Sequence, residues 1–188
     1  MNDQVKIIDN YLDKHTFKTV QQALLSSHFP WYFNESKIVY SKKFHKNYSP
    51  VKGHKTDDQH QFTHLFFGKN APWSSFTHHI APVLNKINPK VWLRVKANLT
   101  SIYSKPLVGG WHYDIFNIKK EKNYIDNNET VAFLYLNTNN GYTLLENGDK
   151  VKSIENRFVT FPNTILHTGV SQTDTKIRSL INFNFCTE

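Results

Sequence analysis

The sequence has few of the features that mark secreted or membrane-spanning proteins. Its single cysteine, Cys186, excludes an internal disulfide and fits a reducing compartment. No run approaches the roughly 18 consecutive apolar residues of a membrane-spanning helix, so no membrane partner is expected. The N-terminus lacks the apolar core of a signal peptide. We therefore expect a cytoplasmic protein, or one that works in the host cytoplasm if its source is a virus.

Acidic residues are also scarce. The chain has 15 Asp and Glu against 23 Lys and Arg, which gives a formal net charge of +8. This balance favours acidic partners, including nucleic acid, but charge bears on association rather than on fold. An AT-rich genome would give the same abundance of Asn, Lys, Ile, Phe and Tyr. The sequence does not indicate an oligomeric state.

The second half of the chain has the pattern of a β protein. From Val91 onward, short apolar stretches are separated by Asn-Gly turns, with no helical period between them, which indicates a sandwich or barrel. Two facing sheets of such strands would form a jelly roll. The predicted strands cover residues 91–99, 107–116, 129–137, 142–146, 149–154, 157–161, 164–170 and 176–186.

The first half of the chain mixes helix and strand patterns. Asp13 is the predicted N-cap of a helix through about Ser26. A second helix is predicted over residues 72–87, with Pro72 in its first turn and Pro82 bending or interrupting it. Further strands are predicted at residues 4–9, 31–40 (with a turn) and 61–67.

At 188 residues the chain is expected to form one domain. Residues 1–90 would be a support region and residues 91–186 the jelly-roll core. Residues 41–60 contain too few apolar side chains to pack, so this basic segment is either a solvated connection or a substrate lid.

His112 and Asp114 are the first candidates for a functional site. Side chains two residues apart on a strand leave the same face, about 6–7 Å apart, so both can reach one small cation. Such triplets are common by chance, and an ordinary half-exposed strand is the alternative. A third ligand must come from elsewhere, and His167 is the best candidate. Two His and one carboxylate that leave other metal positions open are the arrangement of non-haem Fe(II) oxygenases.

Arg178 is the second candidate. Residues 176–185 alternate like a strand, and Arg178 shares a face with Leu180 and Asn182, so it is expected to point inward. Arginine is almost never buried without an anionic partner, and its guanidinium fork suits a carboxylate. A dicarboxylate that chelates a metal with its other end would supply that partner.

This set resembles the Fe(II)/2-oxoglutarate-dependent dioxygenases, and within them the prolyl-4-hydroxylase-like branch. The resemblance covers about residues 91–186 and includes the spacing of eleven residues from His167 to Arg178. It also includes the Tyr-Leu-Asn of residues 135–137, the turn at Gly141, and an Arg-x-x-x-Phe pattern over residues 157–161.

The resemblance implies a mainly β fold, a double-stranded β-helix or jelly roll with N-terminal helices packed on one sheet. His112, Asp114 and His167 would bind Fe(II) as catalytic metal ligands, and Arg178 would bind the distal carboxylate of 2-oxoglutarate. O₂ would be consumed, succinate released and a substrate hydroxylated, with ascorbate as a reductant. The other expected cosubstrate contacts are Tyr135, Tyr103, Thr143, Asn182 and Asn98. Both tyrosines also fit a role as plain core aromatics.

The substrate implied is a protein or peptide, with proline the leading candidate. A nucleic-acid oxidative demethylase is the alternative within the same chemistry, because of the net charge. Two other classes stay open, a non-catalytic jelly-roll binding protein and a barrel that binds Zn(II) or Ni(II) for another reaction. The remaining histidines are predicted not to bind metal: His15, His28, His45, His54, His60, His64, His78 and His79.

Overall fold

The fold is built from two antiparallel β-sheets and a small set of helices. The computed structural model describes residues 4–37, 49–53, 55–57, 59–68, 71–115 and 128–187. Its helices are α1 (Lys14–Leu24) and α2 (Ala81–Ile87), with a 3₁₀ helix over Ser75–Ile80 directly before α2. Its strands are β1 (Lys6–Ile8), β2 (Tyr32–Asn34), β3 (Gln61–Gly68), β4 (Ala71–Pro72), β5 (Val91–Ser101), β6 (Glu129–Tyr135), β7 (Tyr142–Leu145), β8 (Lys150–Lys152), β9 (Phe158–Pro162), β10 (His167–Val170) and β11 (Ile177–Cys186).

The large sheet has the strand order β1-β9-β6-β11-β5-β3-β2, and β4 pairs with β3. The small sheet has the order β10-β7-β8. Isolated bridges from Val108 to Val170 and from His112 to His167 add the segment before β6 to the β10 edge of the small sheet.

Alternation along the two longest strands decides what each face of the large sheet presents. On β11, Ile181, Phe183 and Phe185 belong to an apolar cluster shared with the helices. Arg178 and Asn182, which leave the opposite face of the same strand, line a pocket between the sheets. Because successive side chains of a strand leave opposite faces, one sheet supports both the core and the pocket.

The helices cover the outer face of the large sheet. Phe17, Val20 and Leu24 of α1 are buried in the same cluster as Leu134 of β6. Asn156, which has a φ of 59°, connects the segment just before α1 to the turn that precedes β9. Its side chain accepts a hydrogen bond from the N–H of residue 12 and donates one to the carbonyl of the same residue.

The inner faces of the two sheets enclose a second apolar cluster. Val131, Phe133 and Tyr135 of β6 meet Leu145 of β7 and Val151 of β8 there. This cluster fills one end of the space between the sheets, and the polar pocket occupies the rest. The mainly β jelly roll with helices on one sheet, predicted from the sequence, is therefore confirmed.

Two local predictions are wrong. Pro72 does not start a helix but pairs with Phe67 as part of β4, and the helical segment begins only at Ser75. Pro82 does interrupt the helical segment as predicted, since the 3₁₀ helix ends at Ile80 and Pro82 lies in the first turn of α2, where its missing N–H costs no hydrogen bond. The strand predicted over residues 107–116 is also absent from its described part, which makes only isolated bridges.

The predicted N-cap at Asp13 is confirmed, since its side chain accepts a hydrogen bond from the N–H of Thr16 at 3.0 Å. Half of the segment predicted as either a solvated connection or a lid, residues 41–60, lies outside the described residues, as do residues 116–127. No helix in the described part of the chain has both the length and the apolar character needed to cross a membrane.

Replacement of Leu24 by Ala should destabilise the protein by about 3 kcal/mol, because it leaves a cavity between α1 and the large sheet. Gln22→Ala is the matched control, since Gln22 is exposed on the same helix. Urea unfolding of both variants gives the two free energies. A Leu24→Ala cost close to that of Gln22→Ala would show that α1 does not pack on the sheet as described.

Candidate metal centre

Backbone pairing brings the two predicted histidine ligands together. His167 opens β10, and His112 lies opposite it across an isolated antiparallel bridge. The N–H of each residue donates to the carbonyl of the other, at N···O distances of 3.0 and 3.2 Å. Since paired residues project their side chains from the same face of a sheet, both rings point into the space between the sheets.

The ring nitrogens are oriented for metal binding. Nδ1 of His112 donates to the Gly110 carbonyl at 3.0 Å, and Nδ1 of His167 donates to the Ile165 carbonyl at 3.2 Å. A proton on Nδ1 leaves the lone pair on Nε2. Each Nε2 lies 3.8 Å from a different oxygen of Asp114. The donor atoms of the three residues all lie within 4.8 Å of one another.

Asp114 is held by side chains of the large sheet. Asn182 of β11 donates to both carboxylate oxygens, at 2.9 and 3.1 Å. Asn184 of the same strand donates to Oδ2 at 3.2 Å, and Arg94 of β5 donates to Oδ1 at 3.1 Å. These contacts fix the orientation of the carboxylate, as is usual for the partners of metal ligands.

Asn163 fixes the backbone around Asp114, where no regular strand does so. Its Oδ1 accepts hydrogen bonds from the N–H groups of Asp114 and Ile115, at 3.1 and 3.3 Å. Its Nδ2 donates to the Ile115 carbonyl at 2.9 Å and to Glu129 Oε2 at 2.7 Å. One buried amide thus replaces the ladder that the sequence predicted.

The protonation states suit a cation. Burial, together with the nearby His167, lowers the pKa of His112 to about 3, and burial also lowers the pKa of His167. Burial alone would raise the pKa of Asp114, but His167 and Arg94 outweigh it and hold that pKa well below its usual range. At neutral pH the site therefore offers two neutral imidazoles and one carboxylate.

The three side chains differ in exposure. Those of Asp114 and His167 are each 3% exposed, whereas that of His112 is 31% exposed. His112 therefore marks the open side of the site. Among the His, Cys, Asp and Glu side chains in the described ranges, only these three form a group able to hold a metal ion.

Arg178 lies in the same pocket as the three donors, and its residue is 7% exposed. Its Nε donates to Ser153 Oγ at 2.8 Å and its Nη2 to Thr143 Oγ1 at 3.3 Å. Within the described residues no carboxylate lies within 4.0 Å of it. A buried guanidinium with only hydroxyl partners is the arrangement expected of an anion site.

Tyr135 and Gly141 shape the position of Arg178. The guanidinium carbon lies 5.5 Å from the Tyr135 ring centroid, and the Tyr135 hydroxyl pairs with Thr143 Oγ1 at 2.8 Å. A Cβ added at Gly141 would lie 2.8 Å from Arg178 Cδ and 2.9 Å from the Val170 carbonyl oxygen. Only glycine leaves room for the arginine at this point.

Of the other residues predicted to contact the cosubstrate, some line the pocket and one lies away from it. Thr143, Asn182 and Asn98 line the pocket. Tyr135 lies under Arg178, fully buried. Tyr103 is not among the residues that line the pocket, and its hydroxyl lies 3.4 Å from His60 Nδ1 instead. The structure thus gives Tyr103 no contact with the pocket, because the chain turns away after β5.

Two lysines of the pocket were missed by the sequence reading. Lys96 comes from β5, and burial together with Arg94 lowers its pKa to about 8. Lys37 follows β2, its ammonium donates to Gln59 Oε1, and burial together with Arg178 lowers its pKa to about 7. The alternation of residues 94–100 could have revealed Lys96, whereas nothing local to Lys37 predicts its place.

Comparison with known proteins supports the fold assignment. No protein-family model and no curated protein matches the sequence. A prolyl-4-hydroxylase of Pseudomonas putida is similar in structure, with a TM-score of 0.58 and 10% identity over 100% of this chain and 94% of that one. An oxidoreductase of the 2OG-Fe(II) oxygenase family from Burkholderia pseudomallei has a TM-score of 0.67 and 9% identity, over 100% and 87% of the two chains.

A third structure is a prolyl hydroxylase of Trichoplax adhaerens, in complex with a peptide fragment of the oxygen degradation domain of hypoxia inducible factor. It has a TM-score of 0.59 and 14% identity, over 98% of this chain and 84% of that one. At these identities the likeness establishes a shared fold. The site therefore has to be judged on its own geometry.

The residues present fit the cofactors that this fold suggests. Two imidazole nitrogens and a carboxylate oxygen are the ligand set of non-haem Fe(II) sites that keep open positions. The buried amide oxygens of Asn98 and Asn182 lack a hydrogen-bond partner within the described part of the chain. Since buried polar atoms are rarely left unpaired, each of these oxygens needs a hydrogen-bond donor such as a water molecule, which a dicarboxylate would not supply.

Gly141→Ala should weaken the binding of a dicarboxylate about tenfold or more, because the new methyl group displaces Arg178 and a charge-assisted hydrogen bond is worth about 1.5–3 kcal/mol. Titration calorimetry with 2-oxoglutarate and a redox-inert metal measures this loss. Gly68→Ala is the control, since a Cβ at Gly68 makes only ordinary contacts of 3.7 Å and longer. Equal affinity in the Gly141 variant would mean that Arg178 does not bind the ligand.

Proposed function

We propose that this protein is an Fe(II)- and 2-oxoglutarate-dependent dioxygenase that hydroxylates a residue of a protein or peptide, with proline the leading candidate. One observation carries the proposal. A three-donor group and a buried arginine share one pocket, and within the described residues the arginine has no carboxylate partner and donates only to hydroxyl groups. A metal and a dicarboxylate that chelates it would satisfy both features.

His112, Asp114 and His167 would hold the iron from one side. Their protonation at neutral pH is already that of ligands, so binding requires no proton release from the imidazoles. When bound, Fe(II) and 2-oxoglutarate would supply the oxidising chemistry, in which 2-oxoglutarate and O₂ give succinate and CO₂, with one oxygen atom entering succinate and the other hydroxylating the substrate.

Arg178 would bind the distal carboxylate of 2-oxoglutarate. Ser153 and Thr143 hold the guanidinium, and the Tyr135 ring beneath it limits its movement. Phe133 and Leu180 also line the pocket and give it apolar surface suited to a short methylene chain. Arg94, like the asparagines of β11, would keep Asp114 in position.

The choice of a peptide substrate has separate support. Two of the similar structures above are prolyl hydroxylases, and one of them holds a peptide. The net charge of +8 favours a second candidate, an oxidative demethylase of nucleic acid. That activity requires binding to single-stranded DNA that weakens steeply with added salt. Binding that is absent or independent of salt would exclude it.

The proposal is tested by the conversion of 2-oxoglutarate to succinate with Fe(II), ascorbate and O₂, with and without a proline-rich peptide. Turnover should rise with the peptide and should fall at least about 100-fold in Asp114→Ala, because loss of a ligand harms the site more than loss of a ligand's partner. Asp9→Ala is the control, since Asp9 pairs with Arg157 at the surface.

Mass spectrometry of the peptide should show a gain of one oxygen. Succinate formation that does not depend on Asp114 would contradict the proposal. Turnover that depends on Asp114 but ignores the peptide would keep the chemistry and exclude that peptide as substrate. A protein that neither binds iron nor forms succinate would favour a non-catalytic jelly-roll protein, and turnover only with Zn(II) or Ni(II) would favour a different metal reaction.

A further inference from the structure

The pocket carries more positive charge than its proposed ligands require. Three cationic side chains line it, Lys37, Lys96 and Arg178, and Asp114 is the only acidic residue among the described lining residues. Asp114 already forms an ion pair with Arg94 at 3.1 Å. Enclosed charges are costly unless an opposite charge lies close by.

The inference rests on the proposed function, whose ligands do not remove the excess. Fe(II) adds two positive charges and 2-oxoglutarate adds two negative ones, so together they leave the balance unchanged. Arg178 would match the distal carboxylate, and the metal would match Asp114 and the other carboxylate. None of these carboxylates is then assigned to the amine of Lys37 or Lys96, and burial lowers the pKa of both amines.

The two lysines lie at different ends of the pocket. Lys37 acts on Arg178 and donates to Gln59, which places it at the distal end. Lys96 lies opposite Asn182 in the β5–β11 register, whereas Arg178 lies opposite Thr100. Four residues along a strand correspond to about 13 Å, so Lys96 belongs to the metal end.

The surroundings of Lys96 support this placement. It lines the pocket together with His112 and Asp114, and its register partner Asn182 donates to both oxygens of Asp114. It leaves the inner face of β5, as do Asn98 and Thr100, which also line the pocket.

We propose that Lys96 binds a carboxylate of the primary substrate, so that the hydroxylated residue of the peptide has an acidic side chain next to it in sequence. A carboxylate on a short side chain can enter a pocket between two sheets, whereas the backbone phosphates of a nucleic acid run along a surface groove.

The test compares three prolyl peptides that differ only beside the proline, where one has Glu, one Gln and one Lys. In the wild-type protein the Glu peptide should have kcat/KM at least about tenfold above that of the Gln peptide, which corresponds to one charge-assisted hydrogen bond. Lys96→Met should bring this ratio close to one, and Lys96→Arg should keep part of it. Lys90→Met, an exposed change just before β5, should leave the ratio as in the wild type.

Other outcomes would overturn the inference. Equal use of the Glu and Gln peptides by the wild type would do so, as would a Glu peptide that neither binds nor stimulates turnover. A rise of about tenfold in the KM for 2-oxoglutarate in Lys96→Met, measured with the Gln peptide, would assign Lys96 to the cosubstrate. Stimulation by single-stranded DNA that needs Lys96 would assign it to phosphate.

Binding of Fe(II) and 2-oxoglutarate without peptide separates this inference from the proposed function. If the wild-type protein binds both but shows no preference for the Glu peptide, the inference fails and the dioxygenase proposal stands. If it binds neither, the proposed function itself fails.

Discussion

The carboxylate of Asp114 is the point on which the arrangement of the site depends. It lies on a segment without regular strand structure, so its position comes from side chains rather than from a ladder. Asn163 holds its backbone, and donors from β5 and β11 hold its oxygens. If these contacts were lost, His112 and His167 would still face each other, but no anion would complete a cation site between them.

The need for donors to Asp114 explains why the inner face of the large sheet carries polar side chains. Polar side chains at alternate positions of β5 and β11 replace what would otherwise be apolar core. The protein offsets this cost on the opposite face, where Val95, Ile181 and Phe183 are fully buried beneath the helices. Stability and chemistry are thus divided between the two faces of one sheet, as strict alternation along a strand allows.

The position of Arg178 also depends on residues from both sheets and the turn between them. Its guanidinium is buried among hydroxyl groups, and Gly141 supplies the space for its stem. Both the metal end and the arginine end of the pocket are therefore built by residues distant in sequence but adjacent across the sheets. That separation sets the length of any ligand that could satisfy both ends.

Much of this could be predicted from sequence, for identifiable reasons. Most strands from Val91 onward follow from periodicity. His112 and Asp114 were paired by the spacing of a strand that the structure does not contain, and Asn163 fixes the backbone of Asp114 instead. The inward direction of Arg178 and Asn182 follows from the alternation of β11. The same alternation places Asn184 on the inner face of β11, and it places Arg94 and Lys96 on the inner face of β5. These partners of the site could therefore have been predicted from the sequence.

Other features could not be obtained from local pattern. Lys37 enters the pocket only through the pairing of its neighbours with residues of β3, which is a tertiary effect. Pro72 has the local pattern of a helix start, but β3 takes it as a strand partner instead. Tyr103 lies close in sequence to the site, yet the turn after β5 carries it toward His60. In each case a long-range contact outweighs the local preference.

We infer that His112, Asp114, His167 and Arg178 together bind Fe(II) and 2-oxoglutarate. Anaerobic titration of the protein with Fe(II) and then with 2-oxoglutarate tests it most directly, through the visible charge-transfer band of the chelate. We predict a saturable band in the wild type and in His79→Ala, none in His167→Ala, and one that needs much more 2-oxoglutarate in Arg178→Met. A wild-type protein without the band, or a band that survives His167→Ala, would contradict the account.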